Sequence, residues 1–546
     1  MRRLLLTLTL AIVATTTVAN SQQQSISIED LSARLLRSEA ALTDRLKTMK
    51  PIMEVYAQHV EPHGTLGTVP VRDDYFLGQF DWMPNFGPSM KRLTPEKGRG
   101  QNVANWLAGR TQLKPEVFAA MTVPDWRIMT AANYKFSYSR REFLGEVRCL
   151  VIDVEPKDPR SGFTGRIWVE DRDFTIVRFN GISRSLPGNT SVSKKFWFNV
   201  DSWRLNVSPG VWLPSYVYAE QQSESETQPQ ALKSQVRFWG YDLKSVRPAS
   251  EFTSIQIGDS GVLDTSEKPQ QLSPTESQRL WERQAEDNVL ERLSKAGLLA
   301  PPGEVDQILE TVTRNLQITS NLPVDPPVRA RVLLTSPLES FTVGRTIVFS
   351  RGLIDVLPDE ASLAMMLAHE LAHISLGHRT VDPKFAFADK LMVPDDELLS
   401  TVQFRHLPTE ETSADAQVIE LLKNSPYKDK LTEAALFLRV VSENASKLKN
   451  LIRAHIGEYT GGERQMKRLN ELIEKSPRLD PSGVDPIGAL PLGGRVVMNP
   501  WSSQVELLRA ATVPLTTARE KGSLAVTPLV PYLRYAEPKT TTPGAQ

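Results

Sequence analysis

Cysteine is almost absent, with Cys149 the only one in 546 residues. A single thiol forms no intramolecular disulfide, so buried apolar cores must hold the fold. Net charge is absent as well. Lysine plus arginine and aspartate plus glutamate each number 64, which removes the one-signed field that steers a chain onto nucleic acid or an anionic membrane. No nucleic-acid partner is expected. Beyond the first twenty residues no apolar run approaches the roughly 18 residues of a membrane span, so the remainder reads as soluble. Histidine is scarce too, at seven, which makes its distribution informative.

What is present is enough for several cores: 40% of the residues are hydrophobic and 23% charged, in a chain too long for one ordinary domain. The opening, MRRLLLTLTLAIVATTTVAN, sets Arg2 and Arg3 before an apolar stretch from Leu4 to Ala14, with small residues at Thr17 and Ala19. That layout predicts an export signal over 1–19 and a periplasmic or secreted mature chain, with a retained anchor as the alternative. Export without disulfides suits a bacterial envelope.

Residues 28–60 are expected as an amphipathic helical segment. Leu31, Leu35, Leu42, Leu46, Met49 and Met53 share one stripe, and Pro51 marks the stop. Residues 61–263 are expected to be β-rich, because runs such as YKFSYS, CLVIDVEP, GRIWVED, FTIVRFNG and VRFWGYDL alternate with Gly, Pro, Asn and Asp and carry no helical period. An antiparallel sheet or open half-barrel follows. The polar, proline-containing stretch 264–279 reads as a linker. A charged helix from about Glu276 to Leu299 leads into a third part, 280–500, and 501–546 is an extension with a loose tail.

The third part holds LAHELAHISLGH, residues 367–378, with three of the seven histidines. Either this is a metal site or a helix that happens to carry histidines. Residues four apart on an α-helix lie about 40° apart around the axis and about 6 Å along it, so His369 and His373 project from one face and can share one ion. Two imidazoles suit Zn²⁺, and a hydrolytic site takes a third protein ligand while leaving a position for water. Such water ionises near pH 7 rather than about 15.7, and Glu370 is placed to take its proton as general base. Asp359 offers an N-cap, ASLAMMLAHELAHISL is rich in helix formers, and Gly377 ends the run. The preceding RTIVFSRGLI reads as a strand and as a candidate edge for holding an extended substrate. Downstream, PTEETSADAQVIELL sets Glu411 and Asp415 on one helix face; Glu411 would complete the ion's shell and Asp415 would fix a ligand histidine's tautomer.

A chance His-Glu-x-x-His in such a chain has a probability on the order of one in a hundred to two hundred, so context has to decide. HELAHISLGH followed by ETSAD, with the upstream phrase VLLTSPLESFTVGRTIVFSRGLIDVLPDEASLAMML, resembles the gluzincin metallopeptidases of the HtpX and type I CAAX prenyl protease family over roughly residues 300–475. The resemblance implies His369, His373 and Glu411 as ligands of one Zn²⁺, Glu370 as base and Asp415 behind the ligands. It also implies the soluble periplasmic branch. The family's His-Pro pair ahead of a later arginine is missing, since the chain reads TGGERQMKRL; Arg464, Arg468, His455 and Tyr459 are the candidates to stabilise the transition state. Separately, VIDVEPKDPRSGFTGRIWVEDRDFTIVRFNG resembles the LolA-type lipoprotein carriers, which implies a concave face able to take an acyl chain or apolar peptide.

The fold class expected is α+β and multidomain: an N-terminal antiparallel half-barrel-like domain, then a mostly helical gluzincin domain with a small edge sheet. The function expected is that of an exported zinc endopeptidase acting on protein or peptide substrates of the cell envelope. The alternative is a zinc-containing, chaperone-like or lipid- or lipoprotein-binding envelope protein with little turnover. His378 is expected as a helix-end residue, His406 as a solvated loop or lid residue within a loop-rich span 379–408, His59 and His63 as surface residues, and Cys149 as packed core.

Overall fold

The computed structural model describes residues 27–63, 67–82, 89–93, 118, 121–122, 129–158, 162–184, 196–223, 231–243, 286–322, 327–357, 359–378, 404, 406–445, 447–452, 469–475 and 496–507. The expected signal (1–19) and linker (264–279) lie outside these residues.

Helix α1 (Ile28–Leu46) starts on Ser27, whose hydroxyl accepts from the Asp30 amide, and buries Leu31, Leu35, Leu42 and Leu46. Each such side chain contributes about 1.5–3 kcal/mol on burial. The helix does not continue through the whole 28–60 segment. From Ile52 the chain is strand β1 (Ile52–His63), because Ile52 to Gln58 are buried without a break and the run serves both faces of a sheet. A strand covered on both faces shows no alternation to read.

Nine more strands follow: β2 (Gly67–Asp81), β3 (Ser89–Arg92), β4 (Tyr134–Leu144), β5 (Val147–Pro156), β6 (Phe163–Glu170), β7 (Ile176–Ser183), β8 (Phe196–Ser208), β9 (Val211–Ser223) and β10 (Ala231–Trp239). Together with β1 they form one antiparallel sheet ordered β3-β2-β1-β10-β9-β8-β7-β6-β5-β4, a meander whose first three strands join its last. The sheet is open, with β3 and β4 at its edges. On β6 and β7 Gly165 faces Gly181, and a Cβ on Gly165 would stand 2.3 Å from the Asn180 carbonyl oxygen. The Phe163 ring covers the pair and meets Phe179 edge-on at 5.7 Å. An aromatic lying over a glycine replaces the missing side-chain packing.

The other part is helices around small sheets, so the chain is α+β. Helix α2 covers 286–295, the described portion of the expected charged helix, and α3 is Glu304–Thr319. Strands β11 (Arg329–Leu333), β12 (Ser340–Val343) and β13 (Thr346–Ser350) form a sheet in the order β11-β13-β12. The strand expected as the substrate edge, RTIVFS, is therefore the central one, paired parallel to β11 and antiparallel to β12. The edge beside the histidine-bearing helix is β12. The described residues of this part also form helices α4 (Arg351–Val356), α5 (Glu360–Leu376), α6 (Pro408–Lys423), α7 (Leu431–Asn444) and α8 (Asn470–Lys475). The β14 (Val496–Met498) and β15 (Val505–Leu507) hairpin spans the boundary expected after residue 500.

One apolar cluster unites the two parts. Ile52, Tyr56, Tyr75, Leu77 and Trp239 of the large sheet pack with Leu293, Leu299, Leu334, Leu338 and the buried side of α5. The opposite face of the sheet forms a second cluster with α1. Trp239 donates to the Gly297 carbonyl at 2.9 Å, and Trp501 lies 5.4 Å from the Tyr241 ring.

Candidate metal centre

Helix α5 begins as its sequence predicts, with Asp359 accepting from the Ser362 amide at 2.7 Å. It ends on Gly377 at φ 71°, whose amide returns to the carbonyls of His373 and Ile374. Every residue from Met365 to His373 is buried. The helix is thus a core element, and its histidines are held by packing on all sides.

His369 Nε2 and His373 Nε2 stand 3.0 Å apart. From α6, Glu411 Oε2 comes within 3.1 Å of the first and 3.5 Å of the second. All three ligand atoms lie within 4.8 Å of one another. A tetrahedral zinc with bonds of about 2.0–2.1 Å sets its ligand atoms roughly 3.3 Å apart, so the three side chains fit such an ion. Burial lowers the His373 pKa, outweighing the opposing pull of Glu411. That favours the neutral imidazole that a metal requires.

The ligands are themselves held. His369 Nδ1 is 3.2 Å from Asp415 Oδ1, in ion-pair range rather than in hydrogen-bond alignment. The other oxygen of Asp415 accepts from the Leu469 amide at 2.8 Å. His373 Nδ1 faces His378 Nδ1 at 3.0 Å, and His378 Nε2 is 3.2 Å from the Ser413 hydroxyl. His378 therefore lies just past the helix end and supports a ligand-type histidine. Glu370 is buried, and its Oε1 accepts from the Ser340 hydroxyl at 2.8 Å.

His406 departs from expectation. It is buried, stacked on His373 with centroids 3.8 Å apart, and its Nε2 lies 3.2 Å from the Thr342 hydroxyl. It is not a solvated loop residue. Burial, with His373 second, pushes its pKa down to about 3. Two residues earlier Phe404 stacks on Phe341 at 4.4 Å, so this end of the 379–408 span rests on β12. Residues 379–403 lie outside the described residues, as do His455, Tyr459, Arg464 and Arg468.

Sequence reasoning missed Ser340 and Thr342. The available signal was two small hydroxyl residues at i and i+2 of a buried apolar strand, which places both on one face. His59 is also less exposed than expected, 2.8 Å from Asp74 and in contact with Arg72. Cys149 is buried, and desolvation raises its thiol to about 11, as befits packed core.

The chain was compared with known proteins. Residues 303–392 match the profile of Peptidase family M48, a stretch that includes β12 and α5 and stops short of Glu411. The match supports a metallopeptidase function in general terms. No curated protein matches the chain. Solved structures similar to it include a LolA superfamily protein from Nitrosomonas europaea, at 12% identity and TM-score 0.18 over 40% of this chain and 96% of that one. Another is a putative outer membrane lipoprotein-sorting protein domain from Vibrio parahaemolyticus, at 7% and 0.21 over 41% and 97%. A DUF1329 family protein from Desulfovibrio piger gives 9% and 0.20 over 41% and 99%. Likenesses this loose say nothing of ligand or activity.

Proposed function

We propose that this protein is an exported zinc-dependent endopeptidase acting on proteins or peptides of the cell envelope. The observation that carries the reading is the convergence of His369, His373 and Glu411 on one point, with a buried, hydrogen-bonded Glu370 on the same helix. When bound, zinc supplies a Lewis acid that acidifies water and polarises the scissile carbonyl. His369, His373 and Glu411 hold the ion. Glu370 takes the proton of the attacking water and delivers it to the leaving amine. Asp415 and His378 orient the imidazoles from behind.

Export rests on the 1–19 signal pattern. No helix among the described residues is long and apolar enough to cross a membrane. The chain divides for function into a helix and β-rich region through residue 263, a linker and a catalytic part from residue 280. A lipid-carrying role for the large sheet is less favoured, since α1 fills one face with Leu31, Leu35, Leu42 and Leu46 and a lipid there would compete with it.

Casein cleavage tests the reading. Chelated protein should lose activity and regain it with stoichiometric zinc, while Glu370→Gln should take up the same zinc and cut nothing. Zinc uptake without cleavage by the unmodified protein would instead favour the chaperone-like alternative.

A further inference from the structure

Ser340 is 1% exposed, and its hydroxyl reaches the buried Glu370 at 2.8 Å. A carboxylate on a helix packed on all sides still turns about its own bonds. A hydroxyl donating to one of its oxygens, as Ser340 does, restrains that rotation. The donor is useful only if its own strand is fixed.

The segment leading into β12 is pinned at nearly every residue. Arg351 Nε donates to the Leu334 carbonyl at 3.1 Å. Glu54, on β1 of the large sheet, accepts from the Ser336 amide at 2.6 Å, the Ser336 hydroxyl at 2.7 Å and Arg351 Nη2 at 3.1 Å. Gly352 lies so close that a Cβ there would meet the Ser336 carbonyl oxygen at 1.8 Å, so the segment has no room to move toward α4. The Leu338 amide donates to the Leu451 carbonyl at 2.6 Å. The 450–451 turn is in turn gripped by Asp73 of β2, which accepts from the Asn450 amide at 3.0 Å and the Leu451 amide at 2.7 Å. Glu54 and Asp73 are 2% and 1% exposed. Two buried carboxylates, both from the large sheet, thus grip the approach to Ser340.

We propose that Ser340 is a positioning residue for Glu370, and that the large sheet fixes the strand carrying it through Glu54 and Asp73. The inference rests on the endopeptidase reading for its catalytic consequence, but the gripping of the strand is independent of it. It gives the sheet a part in catalysis: it sets the geometry of the base.

The test uses the full-length, zinc-loaded protein and labelled casein. Ser340→Ala should lower kcat about tenfold or more while zinc content is unchanged, with KM moving by less than about twofold. Ser340→Thr, which keeps the hydroxyl, should restore most of the rate. Glu54→Gln and Asp73→Asn should lower kcat in the unmodified background and much less in the Ser340→Ala background, since both act through that hydroxyl. An unchanged kcat in Ser340→Ala, or losses that multiply fully in the double variants, would overturn the proposal. If the unmodified protein cuts nothing, the endopeptidase reading fails and hydrogen exchange still decides the gripping. Glu54→Gln and Asp73→Asn should quicken exchange at 338–343 by about tenfold and leave α1 alone; equal exchange overturns it. Should either variant lose its cooperative unfolding, Asn450→Ala serves as the milder change, since it removes only the Asn450 Nδ2 bonds to the Asp73 carbonyl at 2.7 Å and to Asp73 Oδ1 at 3.1 Å.

Discussion

Glu39 under the large sheet and Glu370 on α5 are buried to nearly the same degree, 0% and 1% exposed, yet their surroundings differ in kind. Glu39 is matched. Arg204 gives it two parallel hydrogen bonds at 2.7 and 2.9 Å, and the Ile176 amide a third at 3.3 Å. Only Arg204 Nε is left without a partner. Around α5, by contrast, two ring nitrogens and a carboxylate oxygen aim at one another at 3.0, 3.1 and 3.5 Å. A ring proton points along one line and serves one of these contacts well, whereas a cation serves all three. Burial with matched charge marks a fastening, and burial with converging lone pairs marks a site.

The sharpest way to break that comparison is to neutralise each glutamate. Glu370→Gln should cut casein turnover by about 10²–10⁴-fold, the usual share of a general base, and leave both zinc content and thermal unfolding nearly unchanged. Glu39→Ala should do the reverse: stability should fall by about 3–5 kcal/mol in chemical denaturation because Arg204 is left buried and unpaired. If Glu370→Gln destabilised the fold as much as Glu39→Ala, the distinction would collapse.

A smaller effect is expected one contact out from the ligands. Asp415→Asn should cost about 10–100-fold in zinc affinity or turnover, read by competition with a coloured chelator. Smaller still is the pH response of His406. Its folded pKa is pushed down to about 3, below the ordinary value of about 6.5. Between these values the unfolded chain holds a proton that the folded one refuses, so stability falls as pH drops through this window. Denaturation at pH 7 and pH 5 should show a shallower loss for His406→Phe than for the unmodified protein. Equal slopes would mean that His406 is solvated after all.

Features set by local spacing were legible in the sequence. The four-residue interval of His369 and His373, the Asp359 cap and the Gly377 stop all depend on helix geometry alone. The strands from Tyr134 to Trp239 could be read because turns punctuate them. Strand β1 was hidden because it is buried on both faces and follows a helix whose apolar stripe runs into it. Ser340 and His406 were hidden for another reason: each belongs to the site through a contact between elements 30 or more residues apart, Ser340 with Glu370 and His406 with Thr342. Spacing along the chain carries no record of such contacts. The order β11-β13-β12 likewise depends on a parallel pairing that no hairpin signal announces.

X-ray absorption at the zinc edge of the zinc-loaded protein tests the central claim most directly. The account predicts a first shell of two imidazole nitrogens and oxygen donors at about 2.0–2.1 Å, reduced to one imidazole in His373→Ala. A shell of water oxygens alone, or one that His373→Ala leaves unchanged, would contradict it.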